Sequence, residues 1–399
     1  MKKLLQINPV VRENTSTGKI MRALGEMAIA SGWESYIAYS GARDGVPVHS
    51  SKLIPVGNKV DLLWHYLATR LFDAHGLASH RATRRLIRKI RELDPDVVHI
   101  HNVHGYFLNY KLLAEYLSQS EKPVVWTIHD CWLFTGHCYH YAAAGCDKWM
   151  SGCHHCPQKR AFPTSWLLDH SSRNWTLKKE AFGSIPNFTL VTVSHWMKAE
   201  VARSFLGKVP CRVIPNGIDL NVFQPTAGGP GGCFYLAVAS IWLPEKGLED
   251  LRELASLLKE DERLVVVGRL PEGTVFPSNV EMLERTEDAH ALARLYTAAT
   301  TLVNPTWQDN YPTVNLEAIA CGTPVVTYRT GGSVESVTEK TGTVVEQGDV
   351  EGLAKALHAI RQKGKESYTE VCRSYALAHF SKEDCFRKYI ELYESLTGR

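Results

Sequence analysis

Residues 304–326 read Asn-Pro-Thr-Trp-Gln-Asp-Asn-Tyr-Pro-Thr-Val-Asn-Leu-Glu-Ala-Ile-Ala-Cys-Gly-Thr-Pro-Val-Val. The order of residue types predicts a strand end, a loop, a helix, a Gly-Thr-Pro turn and a new strand. Two carboxylates, Asp309 and Glu317, straddle the join: Asp309 falls in the loop and Glu317 in the first turns of the helix. A helix N-terminus carries unpaired N–H groups and the positive end of the helix dipole, so it attracts anions. A phosphate seated there would leave Glu317 to accept hydrogen bonds from nearby sugar hydroxyls. The stretch therefore suggests a nucleotide-sugar site within a strand–helix–strand unit.

The rest of the chain repeats that alternation. Strands are expected at Lys3–Ile7, Tyr36–Tyr39, Val97–His101, Val124–His129, Thr189–Ser194 and Arg212–Pro215. A glycine- and proline-rich run at 225–232 reads as a linker. Strands resume at Phe234–Ser240, Leu264–Gly268, Thr301–Pro305 and Pro324–Tyr328, with a final helix at Lys382–Leu396. Strands alternating with helices imply parallel sheets covered on both faces. The expected architecture is α/β: two Rossmann-like domains, 1–224 and 233–380, facing across a cleft, with a terminal helical segment at 381–399 returning toward the first. Ligands of such sheets lie at the carboxyl ends of strands. His101 and His104, His129 and Asp130, Ser194 and His195, and Asn216 and Gly217 all fall at such ends.

Bulk properties exclude several classes. At 399 residues, 44% hydrophobic and 22% charged, the chain has the composition of a soluble globular protein of two domains. No apolar run reaches the roughly 18–20 residues that span a bilayer. The N-terminus reads as a first buried strand rather than a signal peptide, so a cytoplasmic location is the default expectation. A net charge of +3 does not imply nucleic acid. Charge is uneven, however: His80–Leu93 holds Arg81, Arg84, Arg85, Arg88, Lys89 and Arg91 against Glu92, with apolar residues at helical spacing. That helix is either a solvated outer face or a surface resting on anionic lipid.

Thr15-Ser-Thr-Gly-Lys19 looks like the end of a phosphate-cradling loop, but Glu13 stands where that motif needs glycine. Gly18 still falls between the first strand and a helix expected near Lys19, where a missing side chain lets a ligand approach the backbone.

Val-Ile-Pro-Asn-Gly-Ile-Asp at 213–219, Pro-Glu-Lys-Gly-Leu at 244–248 and the opening stretch together resemble the family 4 retaining glycosyltransferases of GT-B fold. The similarity covers nearly the whole chain. It implies that Glu317 binds the nucleotide ribose, that the backbone N–H groups of Thr313 and Val314 face the diphosphate, and that Lys246 neutralises it as it leaves. It implies further that Asp309 contacts the transferred sugar, that His129 lies beside that sugar, and that Gly18 lines the opposite wall. Asp309 stands where the family commonly has glutamate. Ser240 stands where the family usually has an arginine, so either Arg269 takes over or Lys246 and the helix N-terminus suffice. The implied reaction moves a hexose from a UDP- or GDP-sugar to a saccharide acceptor, expected to be a lipid-linked intermediate of exopolysaccharide, O-antigen or capsule synthesis. The expected location is cytoplasmic, with peripheral contact to the inner face of the membrane. The fold also hosts sugar-nucleotide epimerases, which need no acceptor, and a non-catalytic nucleotide-sugar-binding protein would bind without turnover.

Five of the ten cysteines fall between 131 and 156. Such density in a chain expected to be cytosolic points to metal rather than disulfides. Cys138, Cys146, Cys153 and Cys156 supply four soft ligands suited to a closed structural zinc site, with His137, His140, His154 or Cys131 as substitutes. Free or redox-active thiols are the other reading. Similar inserts occur in enzymes resembling the colanic-acid glycosyltransferases, directly after the His-Asp that ends a strand, as here after His129 and Asp130. No catalytic metal is expected.

Overall fold

The computed structural model describes residues 1–12, 15–42, 50–227 and 233–398. Glu13 and most of the expected linker, 228–232, lie outside the described residues. The chain divides into two compact units, Met1–Ile214 with Phe386–Arg399, and Pro215–Cys385.

The first unit is built on β1 (Lys3–Ile7), β2 (Glu34–Ser40), β3 (Lys52–Val56), β4 (Val97–Ile100), β5 (Val124–Ile128), β6 (Phe188–Thr192) and β7 (Cys211–Val213). Their spatial order is β3-β2-β1-β4-β5-β6-β7, and every pairing is parallel. The central strands read as unbroken apolar runs because helices cover both faces: β4, β5 and β6 are buried at every position. The helices are α1 (Ser16–Ala30), α2 (Lys59–Phe72), α3 (His80–Leu93), α4 (Tyr110–Gln119), α5 (Ser171–Gly183) and α6 (His195–Arg203). Helix α1 begins at Ser16, ahead of the expected Lys19, because the Thr15 side chain caps it by accepting from Gly18 N–H. Helix α3 buries Ala82, Thr83, Leu86 and Ile90 and exposes its six cations.

The second unit holds β8 (Phe234–Ile241), β9 (Arg263–Arg269), β10 (Val280–Leu283), β11 (Thr301–Asn304), β12 (Val325–Tyr328) and β13 (Gly342–Val345). Their order is β10-β9-β8-β11-β12-β13, again all parallel. Around them lie α7 (Leu248–Leu257), α8 (Ala289–Ala298), α9 (Thr313–Ala320), α10 (Val350–Lys363) and α11 (Glu366–His379). A last helix, α12 (Lys382–Leu396), contributes its residues from Phe386 onward to the first unit. There the Tyr393 hydroxyl meets His99 Nδ1 at 2.6 Å, and the Tyr389 and Thr127 hydroxyls are 3.1 Å apart. Among the described residues, no helix is long and apolar enough to cross a membrane.

In both sheets the strand order reverses once, between β1 and β4 and between β8 and β11. A crevice opens at such a reversal, outside the carboxyl ends of the two strands, and ligands of doubly wound sheets bind there.

Candidate active site

The second unit gathers its predicted residues at that reversal. Lys246 closes a short 3-10 turn, Pro244–Lys246, just beyond β8, and Asp309 lies in the loop beyond β11. The Lys246 ammonium donates to Asp309 Oδ2 at 2.8 Å. The other oxygen, Oδ1, accepts from Tyr311 N–H at 3.2 Å, so the carboxylate is held from two sides. Close backbone packing fixes both loops. Gly247 sits at φ +77°, and a Cβ there would lie 2.1 Å from Pro305 O. Gly331, at φ +50°, approaches Asp309 O equally closely. Trp307 N–H donates to Glu245 O at 2.9 Å, and the Trp307 ring N–H and the Tyr328 hydroxyl both donate to Asp250 at the start of α7.

Helix α9 starts directly after this loop. Its cap, Pro312, makes no side-chain hydrogen bond, so no capping side chain covers the first-turn amides of Thr313 and Val314. Asn315 ties the helix to the sheet, accepting from Asn304 at the end of β11 and donating to the Ser336 hydroxyl. Glu317 is half-buried and accepts from the Tyr296 hydroxyl at 2.9 Å. Tyr296 itself is fully buried in α8, and no sequence motif announces it. Ser240 and Arg269 are exposed at the ends of neighbouring strands, Arg269 in register with Ile241. A cation on β9 thus stands one strand away from the position where the arginine is missing.

The first unit carries a line of histidines. His101 Nε2 lies 3.0 Å from Gln6 Oε1 on β1, and its Nδ1 lies 3.1 Å from His129 Nε2 beyond β5. Burial pushes His129 down to about 4 and His99 down to about 3, and holds His101 well below the usual imidazole range. These rings are neutral at neutral pH, suited to hydrogen bonding rather than to carrying charge. Asp130 pairs with His104 Nε2 at 2.7 Å. Burial alone would raise Asp130, but the His104 charge and hydrogen bond overcome it and hold the carboxyl at about 2. Gly18 is buried in the first turn of α1, where a Cβ would lie 2.1 Å from Arg12 O.

The cysteine-rich segment follows β5 as short 3-10 turns. Lys178, fully buried in α5, anchors it by donating to Trp132 O at 2.6 Å and Thr135 O at 2.9 Å. All ten cysteines are free thiols. Cys153 Sγ accepts from Gly136 N–H at 3.2 Å, and a hydrogen bond between Cys138 and Cys156 raises the first thiol and lowers the second. His137 is buried, with Nδ1 at 2.6 Å from Asp73 Oδ1 and Nε2 without a hydrogen-bond partner. Among the described residues, no group of three or more His, Cys, Asp or Glu side chains is arranged to hold a metal ion.

A sequence profile described as Glycosyltransferase Family 4 matches residues 18–222, just over half of the chain. The chain belongs to glycosyltransferase family 4. A second profile, Glycosyl transferases group 1, matches residues 234–363 of this glycosyltransferase. It is 25% identical to a protein named as a colanic acid biosynthesis glycosyl transferase, WcaC of Escherichia coli K12, over 98% of this chain and 100% of that one. It is 30% identical to a D-inositol 3-phosphate glycosyltransferase of Arthrobacter sp. FB24, over 37% of this chain and 41% of the relative. In three dimensions it superposes on sucrose-phosphate synthase from Thermosynechococcus elongatus with TM-score 0.73, 18% identity and 99% of both chains covered. HepE of Anabaena, solved in complex with UDP-glucose, matches with TM-score 0.67 and 13% identity over 99% of this chain and 100% of its own. The fold of this glycosyltransferase is therefore that of the GT-B enzymes.

Proposed function

We propose that this glycosyltransferase moves a hexose from a nucleotide-diphosphate sugar to a saccharide acceptor with retention of anomeric configuration. The observation that carries the reading is the convergence, at one strand-order reversal, of Lys246, Asp309 and the open N-terminus of α9, with Glu317 one turn further on. The diphosphate sits on the amides of Thr313 and Val314. Lys246 exchanges its carboxylate partner for phosphate oxygens, which frees Asp309 to hold hydroxyls of the transferred sugar. Glu317, oriented by Tyr296, accepts from the ribose, and Arg269 supplies the second cation that Ser240 cannot. Catalysis then rests on stabilising the departing diphosphate and positioning the acceptor hydroxyl, with no covalent intermediate. The Anabaena neighbour's complexes with UDP and UDP-glucose support a nucleotide sugar as donor and, of UDP and GDP, favour UDP. The name of the Escherichia coli relative supports a saccharide acceptor in exopolysaccharide synthesis. We infer that this acceptor is carried on a lipid at the cytoplasmic face of the membrane.

The test is slow hydrolysis of candidate UDP- and GDP-sugars by the purified chain. Glu317→Ala and Lys246→Ala each lower turnover by about a hundredfold, the scale of removing one preorganised transition-state contact. Turnover equal to wild type in both variants would sink the assigned roles.

The cysteine segment is read as a structural zinc site of Cys138, Cys146, Cys153 and Cys156. His137 adds support: a buried imidazole held by a carboxylate through one nitrogen, with the other nitrogen unpartnered, has the posture of a metal ligand, and His137 can stand in for Cys146. Zinc capture requires these side chains to turn toward a common point. Elemental analysis decides it: one zinc per chain is expected, and a metal-free purified protein ends the reading.

A further inference from the structure

Helix α2 reverses the usual pattern, with polar residues on its buried side and apolar ones exposed. One side buries His65, Ala68 and Thr69. The other carries Val60, Leu63 and Trp64, which are 75%, 57% and 61% exposed. Their spacing places them on one face. The segment 164–168 lies alongside. Trp166 N–H donates to Arg70 O at 2.7 Å, and an Arg70 guanidinium N–H donates to Thr164 O at 3.3 Å. That guanidinium lies 4.8 Å from the Tyr66 ring and 5.6 Å from the Trp166 ring. Trp166, Leu167 and Leu168 are 53%, 63% and 41% exposed, so the apolar surface runs on from helix to loop.

Six large apolar side chains exposed on one helix and on the segment packed against its Tyr66–Arg70 end are more than the scattered hydrophobic residues of an ordinary surface. The exposed cations nearest them are Lys59 and Arg160; Lys159 and Arg70 lie alongside, donating to Leu167 O at 3.1 Å and to Thr164 O at 3.3 Å. The nearest acids are engaged within the chain: Asp61 closes the capping box of α2, and Asp169 accepts from the Cys156 and Ser171 amides.

We propose that this face of α2 and the 164–168 segment form the surface by which the enzyme docks on an anionic phospholipid bilayer. Tryptophans and leucines enter the interfacial layer while the cations meet lipid phosphates. A second copy of the chain is the poorer occupant, because a two-fold contact through this patch sets the same cations against each other. Helix α3 is an accessory: it exposes six cations but none of the large exposed apolar side chains, so it attracts without inserting. The inference extends the lipid-linked acceptor reading and places the contact on α2 rather than on the basic helix.

The test is co-sedimentation of the full chain with vesicles of phosphatidylcholine, with and without phosphatidylglycerol. Binding is expected to the mixed vesicles and to be weak with phosphatidylcholine alone. The double variant Leu63→Glu, Trp64→Glu loses at least about tenfold in binding, from the apolar area withdrawn. Its circular dichroism and melting temperature stay unchanged, and so does its hydrolysis of a soluble donor. Arg84→Glu, Arg88→Glu weakens binding without abolishing it. Three results overturn the proposal: wild-type protein that ignores anionic vesicles, a double variant that binds them as wild type does, or a wild-type oligomer that the double variant dissolves with vesicle binding intact. The assay contains neither donor nor acceptor, so its failure is separate from failure of the transferase reading.

Discussion

Lys246 and Asp309 are 63 positions apart and meet at 2.8 Å. Their residue types and flanking motifs were visible in the sequence, but their pairing was not, because it arises where two loops from adjacent strands converge. The pair changes what Asp309 is expected to do: before donor arrives it is the counter-ion of Lys246. The side chains are 34% and 20% exposed, so screening limits the pair to about 0–1 kcal/mol of stability. Asp309→Asn is therefore expected to leave the melting temperature nearly unchanged while lowering donor turnover about tenfold or more. Thermal unfolding and hydrolysis measured on one preparation check this, and a large loss of stability would mean that Asp309 is structural first. Tyr296, which orients Glu317, left no trace in sequence because a buried aromatic in a helix reads as core.

Among elements, what was legible followed burial. The central strands announced themselves as apolar runs because both their faces are covered. The strands not anticipated, β3, β10 and β13, all lie at sheet edges. There Lys52–Val56 and Val280–Leu283 are partly exposed along most of their length, and Gly342–Val345 opens with a glycine. Edge strands need no unbroken apolar run, so their pattern merges with the loops around them. Helix α3 was clear from its period, since Ala82, Leu86 and Ile90 mark the buried stripe. Helix α2 does not show such a stripe: polar His65 and Thr69 are buried while Val60, Leu63 and Trp64 are exposed, so its pattern runs against the one that identifies a surface helix.

For the whole molecule the buried histidines set the response to acid. His99, His101 and His129 all titrate below the free imidazole value of about 6.5, because burial disfavours the charged ring. The folded state thus binds fewer protons than the unfolded chain. The stability these rings contribute is full above pH 6.5 and is lost as pH falls through the folded values, toward about 4 for His129 and about 3 for His99. The cost is on the order of 2 kcal/mol per histidine by pH 4.5. Melting temperature is expected to drop steadily between pH 6.5 and 4.5 at constant ionic strength; a flat profile there would contradict the neutral histidine line.

The same line has a temporal side. His99 finds its Tyr393 partner on α12, and Thr127 finds Tyr389 there, whereas every strand of that sheet is encoded before residue 214. A ribosome releases the sheet long before it releases the helix that completes it. Until the intervening unit has been synthesised, the nascent first unit must wait with that edge of its interior uncovered, a window in which a chaperone would have something to hold.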